Sequence, residues 1–303
     1  MPSGQENDTR LWSLAALKES GRWLNAYTEN IYSQTGEDGV IAKALSVLPT
    51  TDHWCVEFGA WDGKYLSNTY NLVENHNYNA VLIEGDEVKY RELCASYPFK
   101  DRGIFVHQLV GWSQGDGLDS ILSRHSIPHD FDFLSVDVDG NDFHIWHALK
   151  EFRPKLVLVE YNCTASNRFD FVQPADPNLN QGSSPAALVR LGKEKGYELI
   201  WLNRINLLFV EAQYFSLFKI PDNSLAVMRD EDDLTSLFHT YDGRVLLDGP
   251  AMLLWHYSMP FSIRQPLPWI FRHPENRYNG LQRFLFKVYS RLHRLFQSSQ
   301  GKT

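Results

Sequence analysis

The stretch HWCVEFGAWDG, residues 53–63, decides the fold. Its apolar run, 53–58, ends in a turn that carries Gly59 and Gly63. The pattern recurs at AVLIEGD, residues 80–86, where a second apolar run stops at Glu84-Gly85-Asp86. Further runs follow at 104–110, 131–136 and 156–159. The segments between them, 66–76, 86–96, 117–125 and 141–150, have the length and composition of helices. Strands alternating with helices of this size make βαβ units and a parallel sheet. Continuous apolar runs, rather than alternating ones, fit strands covered on both faces.

Upstream, residues 11–27 read as a helix with Leu11, Leu14, Leu17 and Leu24 as apolar positions, and 36–47 as a second. Downstream, 162–184 (NCTASNRFDFVQPADPNLNQGSS) is polar, turn-rich and long, as functional loops often are. It ends at Ser184-Pro185, an N-cap with proline at the first helical position. The helix 185–195 runs to Gly196. GYELIWLNRINLLFVE, 196–211, then holds two apolar runs around Asn203-Arg204, a β-hairpin. Five βα units closed by that hairpin predict a seven-stranded, mostly parallel, Rossmann-like α/β sheet. The organisation expected is a helical extension over 1–30, a central domain over 31–215 and a C-terminal extension over 216–303.

Composition narrows the function. Of 303 residues, 43 % are apolar and 22 % charged, which excludes a wholly disordered or fibrous chain. No run reaches the ~18 consecutive apolar residues of a membrane span, and the polar start MPSGQENDTR has no apolar signal core. A cytoplasmic chain is expected. Cys55, Cys94 and Cys163 are too few and too scattered for a disulfide framework or zinc site. The net charge of −8 is uneven: residues 261–303 carry eight Lys and Arg against Glu275 alone, a local +7 that leaves −15 on the rest. An acidic body repels nucleic acid, so no nucleic-acid partner is expected.

The strand ends carry the chemistry. Glu84 lies 27 residues after Glu57, beyond a glycine-bearing turn. An acid so placed accepts hydrogen bonds from ribose hydroxyls. The fourth run ends in Asp137-Val138-Asp139-Gly140-Asn141-Asp142 and the fifth in Glu160-Tyr161-Asn162. Adjacent parallel strands lie ~4.8 Å apart. Asp137, Asp139, Glu160 and Asn162 can therefore converge on one hard cation, Mg²⁺, Mn²⁺ or Ca²⁺. The competing role for Asp139 and Asn141 is to cap the helix 141–150. DVDGND is not a calcium loop, because position 12 is Ala148. It resembles the nucleophile motif of haloacid-dehalogenase-like phosphatases, but Asn141 replaces the usual threonine. As a DxD it also resembles metal-dependent glycosyltransferases, a rival reading that leaves Glu84 unexplained.

Taken together, these stretches resemble the FkbM-like group of class I S-adenosylmethionine-dependent methyltransferases. The likeness rests on SQTGED (33–38), VEFGAWDG (56–63), LSNT (66–69), LIEGD (82–86), LDSIL (118–122) and FDFLSVDVDGNDFHIW (131–146). It implies that Glu57, Gly59 and Gly63 shape the pocket for the cofactor's amino-acid end and that Glu84 holds the ribose. Gln34 and Asn68 become further pocket residues, and Asp62, Gly85 and Asp86 belong to the same cofactor motifs. Asp137 falls near the methylsulfonium. Two positions depart from the pattern: Trp61 stands where a glycine is usual, and Asp139-Gly140-Asn141-Asp142 replaces acid-glycine-alanine-glutamate.

The expected reaction is O-methylation of a hydroxyl on a sugar, a glycan or a related metabolite, aided by Mg²⁺ or Mn²⁺. Asp142 and His144 are the candidate bases, whereas His147 reads as structural. The 162–184 loop would cover the substrate, with Arg168 for an acidic group. Trp255, Tyr257, Phe261, Trp269 and Phe271 would stack on sugar rings or fill a core. A non-catalytic binding protein on the same fold is the other alternative. In the tail, Leu281, Phe284, Leu285, Val288, Leu292, Leu295 and Phe296 recur at helical spacing beside Arg283, Lys287, Arg291 and Arg294. A basic amphipathic helix of this kind packs on the body, contacts a membrane surface peripherally or joins a homo-oligomer.

Overall fold

The computed structural model describes residues 13–300 except 233, 254 and 255, with side chains described to residue 294. Leu11 and Trp255, and the side chains of Leu295 and Phe296, lie outside the described residues. The chain forms two compact units, Met1–Asp230 and Glu231–Thr303.

The first unit is built on seven strands: β1 (Trp54–Phe58), β2 (Asn79–Glu84), β3 (Gly103–His107), β4 (Phe133–Val136), β5 (Leu156–Glu160), β6 (Tyr197–Leu202) and β7 (Asn206–Glu211). Their order is β3-β2-β1-β4-β5-β7-β6. The first five are mutually parallel, and β7 enters antiparallel to β5 and β6. This is the predicted seven-stranded, mostly parallel sheet, with the topology of the class I methyltransferase fold. The apolar runs are its core: Val56, Leu82, Leu134, Val157 and Phe209 are wholly buried. Helices α1 (Leu14–Gly21), α2 (Glu37–Val47), α3 (Tyr70–His76), α4 (Glu87–Ser96), α5 (Leu118–Leu122), α6 (Asp142–Ala148), α7 (Pro185–Lys195) and α8 (Leu225–Met228) complete the unit. Ser184 caps α7, its hydroxyl accepting from the Ala187 N–H, and Pro185 opens the helix as read from the sequence.

The structure departs from the sequence reading where long-range partners intervene. The helix expected over 11–27 is the shorter α1 followed by a 3-10 turn, Trp23–Tyr27. It breaks at Arg22, whose guanidinium turns away to the Val227 carbonyl and the Asp230 carboxylate. Trp23 donates its indole N–H to the Phe218 carbonyl. Residues 14–27 and 212–230 thus pack within the sheet unit, and the compact division falls after Asp230. The helix expected over 66–76 starts only at Tyr70, because Glu57 takes the donors of residues 67–69. The three cysteines are free.

Loop 162–184 is tied down rather than loose. The wholly buried Gln173 is its centre: its amide donates to Asn141 Oδ1 and the Leu179 carbonyl, and its Oε1 accepts from the Gln181 and Gly182 N–H groups.

The second unit carries two small antiparallel ladders, β8 (Ser236–His239) with β9 (Val245–Asp248) and β10 (Met252–Leu253) with β11 (Met259–Pro260), and the long helix α9 (Gly280–Gln300). Its own core joins Phe271 and Tyr278 to Phe286 of α9. Phe271, one of the expected sugar-stacking aromatics, is therefore a core residue, while Tyr257 and Trp269 are exposed. Among the described residues no helix is long and apolar enough to cross a membrane.

Candidate active site

The C-terminal ends of the strands border a cleft of about 420 Å³. It opens where β1 lies between β2 and β4, the switch point at which open α/β sheets take their ligands. Its floor is bare backbone. Gly59 turns the chain at φ 69°, and a Cβ there would meet only the Asp137 carbonyl, at 3.4 Å. A ligand can therefore approach the main chain closely.

Glu84 forms the far wall. It is buried, and its two carboxylate oxygens accept from the N–H groups of Trp61 and Asp86, each at 2.8 Å. Each oxygen keeps a lone pair for another donor. The Trp61 bond holds a large side chain in a conformation uncommon for one: the residue sits at φ 45° with its N–H on the Glu84 carboxylate. The indole lines the cleft, with Lys89 Nζ 4.5 Å above the ring and Tyr65 edge-on at 5.4 Å.

Glu57 also lines the cleft, but its hydrogen bonds point to a scaffold task. Its carboxylate accepts from the Ser67 and Thr69 hydroxyls, both at 2.6 Å, and from the Asn68 N–H at 2.8 Å. Burial pushes this carboxyl up, and those three donors pull it back only in part. The grip delivers Asn68 to the cleft, where its side-chain amide donates to Ser135 Oγ.

Four residues of the two cofactor motifs are wall supports that do not line the cleft. Asp62 accepts from the Lys64 and Tyr65 N–H groups and shapes their turn. Gly63, at φ 77°, lies so close to α4 that a Cβ would fall 2.6 Å from Tyr97 and 2.7 Å from Leu93. Gly85 passes against Leu109 in the same way. Asp86 caps α4, and the Lys89 and Val88 N–H groups hold its carboxyl below the usual range.

SQTGED closes the near side. Asp38 Oδ2 accepts from the N–H groups of Ile31, Tyr32 and Ser33. Glu37 accepts from Thr35 and from the side-chain amides of Asn203 and Asn206. Burial raises the Glu37 carboxyl, and these donors more than offset it, leaving it low. The fold of this loop brings Gln34 into the cleft lining. Asn206 lines it too, with its buried Oδ1 unpartnered. Sequence reasoning missed Glu37 and Asn206. Glu37 was within reach as the acid of SQTGED, whereas a lone asparagine at the head of a hairpin strand carries no signal.

The acids at the ends of β4 and β5 divide into two groups. Asp137, Asp139 and Glu160 each offer an oxygen, and these lie within 4.8 Å of one another. Burial and the neighbouring carboxylates push Asp137 up to about 7 and Glu160 up to about 9. Among the described residues no side chain or N–H donates to Asp137 or Asp139. The other group is already committed. Asp142 is buried and accepts from the Val138 and Gly140 N–H groups, closing the DVDGND turn; burial lifts it to about 6. Asn162 gives its oxygen to the N–H and hydroxyl of Thr164. Those bonds tie it to the start of the loop. His144 bonds through Nε2 to the Gln173 carbonyl at 2.7 Å, and neither His144 nor Asp142 lines the cleft. Asp142 and His144 are thus engaged by the strand end and by loop 162–184 rather than set in the cleft lining, although Asp142 lies near enough to Asp137 to push its carboxyl up. Arg168 is exposed on that loop.

No family model matches the chain, and no curated protein matches it. Among solved structures it is similar to TrmK of M. capricolum in complex with S-adenosyl-homocysteine (TM-score 0.35, 10 % identity, 56 % of this chain and 65 % of that one). It is also similar to the CurJ carbon methyltransferase (0.40, 13 %, 66 % and 60 %) and to the glycopeptide N-methyltransferase MtfA complexed with sinefungin (0.36, 12 %, 60 % and 88 %). The match spans less than two thirds of the first two. Likenesses of this size carry no argument about chemistry; the strand order and register above establish the fold.

Proposed function

We propose that the chain transfers a methyl group from S-adenosylmethionine to a hydroxyl of a sugar, a glycan or a related small metabolite. The observation that carries this reading is Glu84, a buried carboxylate pinned by two backbone N–H groups at the switch point of the sheet, with lone pairs left for a ribose. The motifs that resemble the FkbM-like group support it, since SQTGED, VEFGAWDG and LIEGD converge on the same cleft.

When bound, S-adenosylmethionine supplies a methyl on a sulfonium, whose positive charge is lost on transfer to oxygen. The protein's share is mostly alignment. Glu84 fixes the ribose, Gly59 admits the ligand to the backbone, and Trp61 with Lys89 walls the adjoining space. A substrate hydroxyl that accepts the methyl would give up its proton, to Asp137 directly or, with a cation held by the acid trio, to water. The trio's oxygen-only donor set and mutual repulsion suit a hard divalent cation held by Asp137, Asp139 and Glu160. Such an ion supplies charge that acidifies a nearby hydroxyl. A second reading has the trio act unaided, Asp137 taking the proton directly; its carboxyl near 7 favours that reading.

Calorimetry with S-adenosylhomocysteine and with a UDP-sugar tests the assignment on the intact chain. The expected result is heat with the former and none with the latter. The reverse would move the reading to a metal-dependent glycosyltransferase. Transfer of tritiated methyl to a glycan pool then tests catalysis, and folded protein that binds S-adenosylhomocysteine but transfers nothing to any acceptor would be a binding protein.

A further inference from the structure

We propose that helix α9 seats the protein on an anionic lipid surface. The helix presents three faces. Gln282, Phe286 and Tyr289 face its own unit: Gln282 bonds the Ile270 carbonyl, Tyr289 the Pro266 carbonyl at 3.0 Å, and Phe286 packs on Phe271 and Tyr278. A second face is an apolar stripe that its own unit leaves uncovered. Leu281, Phe284, Leu285, Val288 and Leu292 are 67, 64, 41, 41 and 51 % exposed. Five large apolar side chains in one row are not the scattered exposure of an ordinary surface. The third face, along one edge of the stripe, holds Arg283, Lys287, Arg291 and Arg294. These four form no ion pair among the described residues, and α9 contains no acidic residue.

Charge selects the occupant. A second copy of the stripe would supply no acidic partner for the basic ridge, since α9 has none, and an antiparallel pairing would bring the two ridges to one side of the seam, which like charge opposes. A nucleic acid would satisfy the ridge and leave the stripe in water. An anionic bilayer satisfies both: the stripe enters the headgroup–acyl boundary, and the Lys and Arg side chains reach the phosphates at its level. The attraction adds to apolar burial and is screened by salt.

The test is flotation of the full chain with vesicles of phosphatidylcholine and phosphatidylserine in equal parts, and with phosphatidylcholine alone. The intact protein floats with the mixed vesicles at low salt and releases as salt rises. The pair Phe284→Glu and Leu285→Glu abolishes flotation, Leu285→Met retains it, and Lys287→Gln and Arg291→Gln each weaken it about fivefold. All four positions are exposed, so an unchanged thermal melt certifies folding. Failure of the intact chain to float overturns the proposal, as does equal binding to uncharged vesicles at all salt concentrations. It is equally overturned if the Glu pair turns a dimer into a monomer while vesicle binding persists, or if the basic residues bind a nucleic-acid duplex and ignore vesicles.

Discussion

The two groups of acids at the strand ends are built from the same residue types and behave in opposite ways. At the β1–β2 end, Glu57 and Glu84 each meet hydrogen-bond donors on both oxygens, from hydroxyls and backbone N–H groups of their own loops. At the β4–β5 end, Asp137, Asp139 and Glu160 meet mainly one another. A buried carboxylate is tolerated when hydrogen bonds replace its water. The first end is therefore a finished scaffold with spare acceptor capacity. The second holds unbalanced negative charge and calls for a proton, a cation or a polarised substrate. The two groups lie on neighbouring strands, Glu57 on β1 and Asp137 just beyond β4, close enough for the Glu57 charge to help push Asp137 up.

The sharpest way to break this contrast is Asp137→Ala. Removal of the central acid is expected to lower methyl transfer by about a thousandfold or more, the scale of losing an electrostatic stabiliser, with S-adenosylhomocysteine affinity changed only a few-fold. Transfer in excess EDTA after metal-free dialysis then separates the two readings of the trio: loss supports a held cation, and full activity supports direct proton acceptance. If Asp137→Ala transfers methyl at the wild-type rate, the trio is not the reactive end.

At the other end, Glu84→Ala should weaken S-adenosylhomocysteine roughly a hundredfold. Two hydrogen bonds to a charged acceptor are lost, at about 1.5–3 kcal/mol each, and part returns through water. Glu84→Gln keeps shape and one acceptor oxygen, so it should fall between. Unchanged calorimetric affinity in folded Glu84→Ala protein would remove the ribose assignment.

The contrast also marks what the sequence reveals. The sheet is legible because burial on both faces writes β1, β2, β4 and β5 as uninterrupted apolar runs, and because Asn203-Arg204 punctuates the hairpin. Glu84 and the trio are legible because strand ends are fixed once strands are placed. The direction of a side chain within a motif is not. Asp62, Gly63, Gly85 and Asp86 share their motifs with true lining residues, yet their partners are local N–H groups and the α4 side chains. His144 and Asp142 read as bases, but the groups that occupy them, the Gln173 carbonyl and the Val138 and Gly140 amides, follow from a loop path that no periodicity encodes.

The two ends should also respond with opposite sign to the loss of a single group. Thr69→Val removes a hydroxyl donor from Glu57 without changing shape. A buried carboxylate short of one donor is expected to cost about 2 kcal/mol, or roughly 4–8 °C in melting temperature for a unit of this size. Asp139→Asn, at the other end, removes a carboxylate whose charge pushes both Asp137 and Glu160 up, and should raise the melting temperature of metal-free protein. Destabilisation by both substitutions would mean that the trio is as well satisfied as Glu57.

The smallest expected effect is the pH dependence of stability, and its sign follows from the same contrast. In the folded chain Asp142, Asp137 and Glu160 hold protons up to about 6, 7 and 9, whereas unfolded carboxyls release theirs near 4. Between those limits the folded state binds more protons than the unfolded one, so stability falls as pH rises. Asp230 acts the other way: Arg22 and Lys18 hold it low, so its contribution is present above the ordinary carboxylate range and is lost only in acid. Metal-free protein should therefore melt higher near pH 5 than near pH 8. Mn²⁺ at about a hundred times its dissociation constant should return roughly 2.7 kcal/mol at pH 8, and much less at pH 5, where Asp137 and Glu160 hold protons. Thermal melts at both pH values, with EDTA and with Mn²⁺, read this directly. The contrast fails if the metal-free melt rises from pH 5 to pH 8, or if the Mn²⁺ gain is the same at both pH values and survives Asp137→Ala.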